Sequence, residues 1–248
     1  MSERREHYSY TYYADAANAQ SFDSRRFGGP IGDLVAKGQA DVLANMLGPV
    51  KGRRIIDVGT GTGRGAFLLA GAGAQVTGID ASEPMLALAK QRAADTHATG
   101  VDFQVGDAHQ IQFADRSFDV AVSLRVLMHT PRWRQCIGEL CRVASQGVVL
   151  DYPSATSTAM LESIVRKVLH PLGLASEPYR VFFEGQIRRE LESHGFRVTN
   201  VHRQFVMPIA LHKAIGSRRF TEQSEHWLAR LGLLRLFRSP VTVYAQRG

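Results

Sequence analysis

The sequence predicts a doubly wound α/β fold with a mainly parallel sheet, and two observations support this prediction. Short apolar runs alternate with helical patterns from residue 54 to residue 150. A glycine-rich segment, residues 59–65, follows the first apolar run directly and leads into a helical pattern. Strand–helix–strand units at this spacing require right-handed crossovers, which place neighbouring strands parallel.

The individual elements follow from periodicity and from the signals at their ends. Residues 1–30 are polar and aromatic, give only a weak helical pattern and finish in the turn-forming segment 28–30. Helices are predicted at 32–47, 65–71, 82–94, 131–143, 156–170 and 184–193. Strands are predicted at 54–58, 75–79, 101–105, 118–124, 147–150, 196–205 and 241–246. Residues 206–240 exceed what this alternation needs, which is typical of a functional insertion.

Composition limits the class of protein. The chain has 248 residues, 44% of them hydrophobic and 21% charged, as expected for a globular protein of one or two domains. No stretch approaches the roughly 18 apolar residues of a membrane span. The first residues lack the apolar block of a signal peptide, so a cytoplasmic location is expected. Cys136 and Cys141 are too few for a disulfide framework or a zinc site, and no metal is expected.

The chain is basic, with 30 Lys and Arg against 23 Asp and Glu and a net charge of +7. Such a charge suits nucleic acid, an anionic membrane surface or an acidic substrate. The aromatic residues form no RNA-binding motif and the basic residues are spread along the chain, so nucleic acid is disfavoured. Arginines accompany an apolar stripe at 217–238, which is either an amphipathic helix for a membrane or lipid-like acceptor, or a cap packed on the sheet.

The strongest local feature is the glycine loop between Asp57 and Gly65. Its glycines permit a tight turn, and the helix that follows offers unpaired N–H groups to a ligand. The spacing from Gly61 to Ala66 is an allowed variant of the dinucleotide-binding pattern, so the loop alone leaves a dinucleotide open.

Three aspartates at the ends of successive predicted strands decide between the ligands. Asp57 would repel a pyrophosphate at short range but attract a cationic ligand. Asp80 is placed to bind two ribose hydroxyls, and Asp107 to accept a hydrogen bond from an exocyclic amine. Parallel strands converge at this edge of the sheet, where such folds bind ligands. The pattern therefore predicts a cationic, nucleoside-like ligand.

These motifs resemble those of class I S-adenosylmethionine-dependent methyltransferases, particularly the small-molecule branch with the ubiquinone and menaquinone enzymes. The resemblance covers about residues 50–150 and rests on segments 57–63, 78–80, 106–108 and 113–119. It implies a Rossmann-like seven-stranded sheet with an antiparallel seventh strand, S-adenosylmethionine as cofactor and S-adenosylhomocysteine as product. The implied cofactor contacts are Asp57, Gly59, Thr60, Gly61, Gly63, Asp80, Ala81, Met85, Asp107, Ala108, Ser123 and Leu124.

A single domain over 1–248 is expected on this basis. It would comprise an N-terminal lid and helices at 1–44, a cofactor-binding core at 45–151, and caps on the substrate side at 152–183 and 206–240. Tyr13, Arg26 and Trp227 are the candidate lid or substrate residues.

The expected reaction is methyl transfer to a small, hydrophobic, aromatic or lipid-like acceptor. A hydroxyl or carbon acceptor needs a base, and His129, just past the fourth strand, is the first candidate. Tyr152, past the fifth strand, is the second; a rim or helix-capping role is the alternative for His129. O-, C- and N-methylation stay open, as does the oligomeric state. The alternative functions are an RNA methyltransferase and a cofactor-binding protein that transfers no methyl group.

Overall fold

The computed structural model describes residues 15–170, 179–232, 237 and 239–248. Its helices are α1 (Ala16–Phe27), α2 (Gly29–Leu47), α3 (Arg64–Gly71), α4 (Glu83–Asp95), α5 (Trp133–Val143), α6 (Thr158–Leu169), α7 (Glu184–Ser193), α8 (Ile209–Ile215) and α9 (Arg218–Arg230). Its strands are β1 (Arg54–Val58), β2 (Gln75–Asp80), β3 (Val101–Val105), β4 (Phe118–Ser123), β5 (Ala144–Tyr152), β6 (Phe196–Phe205) and β7 (Ser239–Arg247).

The strands form one sheet in the order β3-β2-β1-β4-β5-β7-β6. Strands β1 to β5 pair in parallel, whereas β7 lies antiparallel between β5 and β6. The predicted seven-stranded α/β fold and its antiparallel seventh strand are confirmed. The chain runs outward from β1 to β3 and then returns to β4 on the other side of β1, so the strand order reverses between β1 and β4. A crevice at the carboxyl ends of these two strands follows from that reversal.

The central strands are apolar at successive positions because helices cover both faces of the sheet. Ile55 packs in the cluster with helices α2, α3 and α4, and Ile56 packs in the cluster with α5 and α7. Both side chains are fully buried. Alternate side chains of a strand point to opposite faces, so each strand of this sheet holds two layers of helices in place.

The N-terminal part of the described chain is more helical than its sequence pattern indicates. The Asp15 side chain accepts a hydrogen bond from the Asn18 amide at 2.9 Å and caps α1. Gly28 adopts an extended conformation and separates α1 from α2, and Pro30 lies in the first turn of α2. The predicted turn at 28–30 is therefore a break between two helices.

The insertion after β6 forms two helices. Gly216, with a φ of 68°, ends α8, and the Ser217 side chain caps α9. Helix α9 ends at Arg230, before Gly232, so the first half of the apolar stripe predicted over 217–238 is helical. Its second half includes positions 233–236 and 238, which lie outside the described residues. No helix in the described part of the chain has the length and apolar character needed to cross a membrane.

One buried polar network joins the two helices of this cap. The fully buried His212 lies with Nε2 2.9 Å from Glu225 Oε1 and Nδ1 3.0 Å from the Thr221 hydroxyl. The Glu225 carboxylate also accepts hydrogen bonds from the amides of Val206 and Met207. Each of these buried polar groups has a hydrogen-bond partner within the network. The network therefore holds α8 and α9 against the end of β6.

Candidate active site

The glycine loop after β1 has the backbone conformation that its composition predicts. Gly59, Gly61 and Gly63 have φ values of 75°, 55° and 82°, which L side chains rarely adopt. A Cβ atom at Gly59 would lie 2.1 Å from Cγ2 of Val126, so this position has no room for a side chain. The Gly59 amide donates to the Ile79 carbonyl at 2.8 Å. The loop is thereby fixed against the ends of β2 and β4.

Two carboxylates adjoin this loop. Asp57 is 4% exposed, and its Oδ2 accepts a hydrogen bond from the Thr60 hydroxyl at 2.7 Å. Burial raises the pKa of Asp57 to about 6, and the nearby Asp80 charge contributes. Asp80 accepts hydrogen bonds from the amides of Gly61 at 2.8 Å and Ser82 at 2.9 Å, while burial raises its pKa. Ionisation of both Asp57 and Asp80 is unfavourable because their negative charges repel each other. A cation bound between them would stabilise both ionised carboxylates.

The third predicted carboxylate follows β3. Asp107 Oδ1 accepts a hydrogen bond from the His109 amide at 2.9 Å and lies 2.9 Å from His109 Nδ1. The Gly106 amide donates to the Asp80 carbonyl at 2.9 Å, which holds the end of β3 against the end of β2. The three aspartates thus reach one cavity, which we call the first cavity.

Most of the predicted cofactor residues line the first cavity. These are Asp57, Gly59, Thr60, Gly61, Asp80, Ala81, Met85, Asp107, Ala108 and Leu124. Gly63 and Ser123 do not line it: Gly63 is the N-cap of α3, and the Ser123 hydroxyl donates to the Val58 carbonyl at 3.1 Å. The structure therefore brings most of the acidic and apolar candidates to one cavity, and their contacts with the cofactor stay predictions.

Helix α1 covers the first cavity, which the sequence pattern does not reveal. Asp23 accepts hydrogen bonds from Arg92 at 2.6 Å and from the Thr62 hydroxyl at 3.0 Å. The Arg64 guanidinium lies 3.9 Å from the centre of the Phe27 ring. These contacts attach α1 to the glycine loop and to α4, and they join residues too distant along the chain for a local pattern to indicate them.

A second cavity adjoins the first and has a volume of about 460 Å³. It lies among α1, α6, α8 and the segment after β6. Four residues line both cavities, namely Phe22, Arg26, Arg125 and His129. His129 ends a short 3-10 helix, Leu127–His129, that follows β4. The two candidates Arg26 and His129 are therefore at the junction of the cavities.

Arg125 is a site residue that sequence reasoning missed. It has a φ of 65°, which is unusual for a residue with a side chain, and its amide donates to the Asp151 carboxylate. The only hint in the sequence is Asp151, a charged residue directly after the apolar run 147–150; in the structure it is 4% exposed and needs a donor.

The remaining candidates lie elsewhere. Tyr152 is 1% exposed and packs against Phe182 with ring centres 6.1 Å apart, and it lines neither cavity. Burial raises the pKa of its hydroxyl, which opposes its action as a base. Trp227, on α9, is 64% exposed and also lines neither cavity. Tyr13 lies outside the described residues.

Comparison with known protein families identifies the family of this chain. Residues 49–173, about half of the chain, match the family model described as a methyltransferase domain. The chain belongs to the methyltransferase domain family. The matched segment contains the glycine loop, the three aspartates and His129.

Curated relatives match over the same region. The O-methyltransferase cnsE of Penicillium expansum is 34% identical over 123 residues, which are 46% of this chain and 45% of that protein. The ubiquinone/menaquinone biosynthesis C-methyltransferase UbiE of Bradyrhizobium diazoefficiens is 33% identical over 146 residues, 54% of this chain and 58% of that protein. The chain thus spans about half the length of the curated relatives it matches.

The fold agrees with a solved methyltransferase structure. Magnesium protoporphyrin IX methyltransferase from Synechocystis PCC 6803, crystallised with bound S-adenosylhomocysteine, superposes with a TM-score of 0.69. The alignment covers 97% of this chain and 98% of that chain at 20% identity. At this identity the likeness establishes the shared fold.

Proposed function

We propose that the protein is an S-adenosylmethionine-dependent methyltransferase that acts on a small, hydrophobic or aromatic acceptor. The observation that carries this proposal is the junction of the two cavities. One cavity is lined by buried aspartates, the adjoining cavity is larger, and His129 lines both. A methyl donor and an acceptor held in the two cavities would meet at this junction, as an in-line displacement requires.

The residues of the first cavity fit the cofactor. Asp57 would bind its ammonium group, Asp80 the ribose hydroxyls and Asp107 the adenine amine, while Met85 and Ala108 would contact the adenine ring. The raised pKa of Asp57 supports a positively charged ligand, since a cation would stabilise the ionised carboxylate. When bound, the cofactor supplies a methyl group already activated by the sulfonium charge.

The chain then has three tasks, which are to orient the acceptor, to exclude water and to accept a proton. Helix α1 covers the cavities and supports the second task through Phe22 and Phe27. His129 would accept the proton of a hydroxyl or activated carbon, and this role is supported by its position in the lining of both cavities. Tyr152, buried away from both cavities, is the weaker candidate.

The cofactor assignment is tested with the substitution Asp80→Ala. Loss of a carboxylate that binds two hydroxyls should weaken S-adenosylmethionine binding about 100-fold in calorimetry. Asp95→Ala, which removes an exposed carboxylate of α4, is the matched control and should leave the affinity unchanged. An unchanged dissociation constant for Asp80→Ala would contradict the assignment.

The catalytic assignment is tested with His129→Gln. Removal of a general base should lower the rate of S-adenosylhomocysteine formation about 100-fold, with cofactor affinity retained. Hydroxylated aromatic compounds and total RNA are the acceptors to compare. Product with RNA alone would support the RNA methyltransferase alternative, and cofactor binding without product on any acceptor would support a binding protein that transfers no methyl group.

Several further expectations concern membrane contact, cellular location, domain limits and the lid. Contact of residues 217–238 with a membrane or lipid is supported by the exposed apolar side chains of Trp227 and Leu231, which are 64% and 67% exposed. The cytoplasmic location and the domain limits rest on the sequence alone, and they stay predictions, as does the lid role of Tyr13, Arg26 and Trp227.

A further inference from the structure

The charge of the second cavity differs from that of the first. Its lining includes five arginine or lysine side chains and a single carboxylate, namely Arg25, Arg26, Arg125, Arg166, Lys213 and Glu162, and the ionisable side chains of His129 and Tyr179 line it as well. Glu162 Oε1 lies 2.6 Å from a guanidinium nitrogen of Arg166, so this pair is internally neutral. The remaining bases leave the cavity wall positive.

Three of these basic residues, Lys213, Arg26 and Arg125, have partners among the described residues. Lys213 Nζ donates to the backbone carbonyls of Arg25 and Arg26, at 2.8 Å each, and so binds the last turn of α1. The buried Asp151 carboxylate faces both Arg125 and Arg26, since the charges of these two arginines counteract the rise in its pKa caused by burial. The single negative charge of Asp151 is therefore shared by two guanidinium groups and cannot neutralise both.

The side chain of Arg125 has one buried nitrogen without an acceptor in the described part of the chain. Its Nε is buried and has no hydrogen-bond acceptor within the described residues. Its backbone has a positive φ and its amide donates to Asp151, and the residue lines both cavities at their junction. A buried donor without an acceptor is unfavourable, and a ligand oxyanion would supply the missing acceptor.

We propose that the acceptor carries an oxyanion, a carboxylate or a phosphate, which binds Arg125 in the second cavity. This inference rests on the proposed function and specifies its substrate class. Guanidinium groups bind such anions through two parallel hydrogen bonds, which fixes orientation as well as position. Met128, Ala159 and Ile209 line the same cavity and suit an apolar body attached to the anion. Arg125 is then a specificity-determining residue beside His129.

The proposal is tested with a pair of fluorescent probes that differ in one anionic group. Anilinonaphthalene sulfonate and its uncharged counterpart phenylnaphthylamine are titrated into protein saturated with S-adenosylhomocysteine, so that the first cavity is filled. We expect Arg125→Met to weaken sulfonate binding about tenfold and to leave the uncharged probe unaffected. Arg189→Met, which removes an exposed arginine outside both cavities, is the matched control.

Arg125→Lys keeps the charge without the bidentate geometry, and it should give a smaller loss for the sulfonate probe. This variant also keeps the test valid if Arg125→Met does not fold. Competition by benzoate or by phenyl phosphate then identifies the preferred oxyanion, with benzyl alcohol as the neutral control.

Equal sulfonate affinity in wild type and both Arg125 variants would overturn the proposal, as would competition by benzyl alcohol as effective as that by the anions. The proposed function is judged separately by calorimetry of the same proteins with S-adenosylmethionine. Cofactor binding in wild type together with unaltered sulfonate binding in the variants would refute the oxyanion inference alone.

Discussion

The two adjoining cavities are built in opposite ways. The first is lined by aspartates that end or follow neighbouring parallel strands, and their oxygens accept hydrogen bonds from nearby backbone amides. The second is lined by basic side chains from α1, the segment after β4, α6 and α8, which come together only through tertiary packing. Under the proposed function, the cofactor site is formed largely by residues at the ends of neighbouring strands, whereas the acceptor site depends on the packing of distant segments, of which Arg26 and Arg125 also line the first cavity.

The first prediction tests the local specification of the first cavity. Gly59→Ala should lower the free energy of unfolding by about 3 kcal/mol, because a strained φ adds to a collision with Val126. Gly61→Ala in the same loop meets no atom within 4 Å and should lose only about 1 kcal/mol. Urea unfolding measures both. Equal losses would mean that the close approach of Val126 does not constrain the loop.

The second prediction concerns the cap. His212→Phe should destabilise residues 206–230 locally by about 2 kcal/mol, because it removes the partner of Glu225 and Thr221 inside the cap. Hydrogen exchange of these amides measures the effect. The affinity for S-adenosylmethionine should stay within about twofold, since the network is separate from the first cavity.

Its control is Glu222→Gln, which breaks only an exposed ion pair with Arg218 one turn away on α9. Exchange in the cap should then be unchanged. A parallel loss of cofactor affinity in His212→Phe would refute the separation of the two regions, because it would make cap and core one cooperative unit.

The third prediction is the smallest and uses pH. The pKa of Asp57 is about 6, and the ionised carboxylate is the form that attracts a cation. Affinity for S-adenosylmethionine should therefore decrease as the pH falls through this value, by at most about tenfold per pH unit. Asp57→Asn should bind more weakly at neutral pH and depend less on pH, with the remaining slope due to Asp80. A slope as steep as that of wild type would rule out Asp57 as the titrating group.

The predictable part of the molecule is the part that local patterns encode. Short-range sequence features predict the apolar strands, the glycine loop and the positions of three aspartates at strand ends. In the structure, Asp57, Asp80 and Asp107 line one cavity. Strand β5 is longer than its apolar run because it pairs with β7 as far as Tyr152, which only the full sheet reveals.

Other features lay beyond local patterns. Arg125 and Asp151 are 26 positions apart and Asp23 and Arg92 are 69 apart, so no window of sequence contains either pair. The choice of Tyr152 as a candidate base also neglects that adjacent residues of a strand point to opposite faces, so only one of Asp151 and Tyr152 can face the crevice. In the structure Asp151 binds Arg125, whereas Tyr152 packs with Phe182 in the core.

Helix α1 is attached on both sides of the junction. Asp23 binds the loop of the first cavity, and the carbonyls of Arg25 and Arg26 bind Lys213 beside the second. A movement of α1 that widens one cavity would therefore affect the contacts at the other. We expect entry and release of the two proposed ligands to be kinetically coupled through this helix, which supplies Phe22 and Arg26 to both cavities.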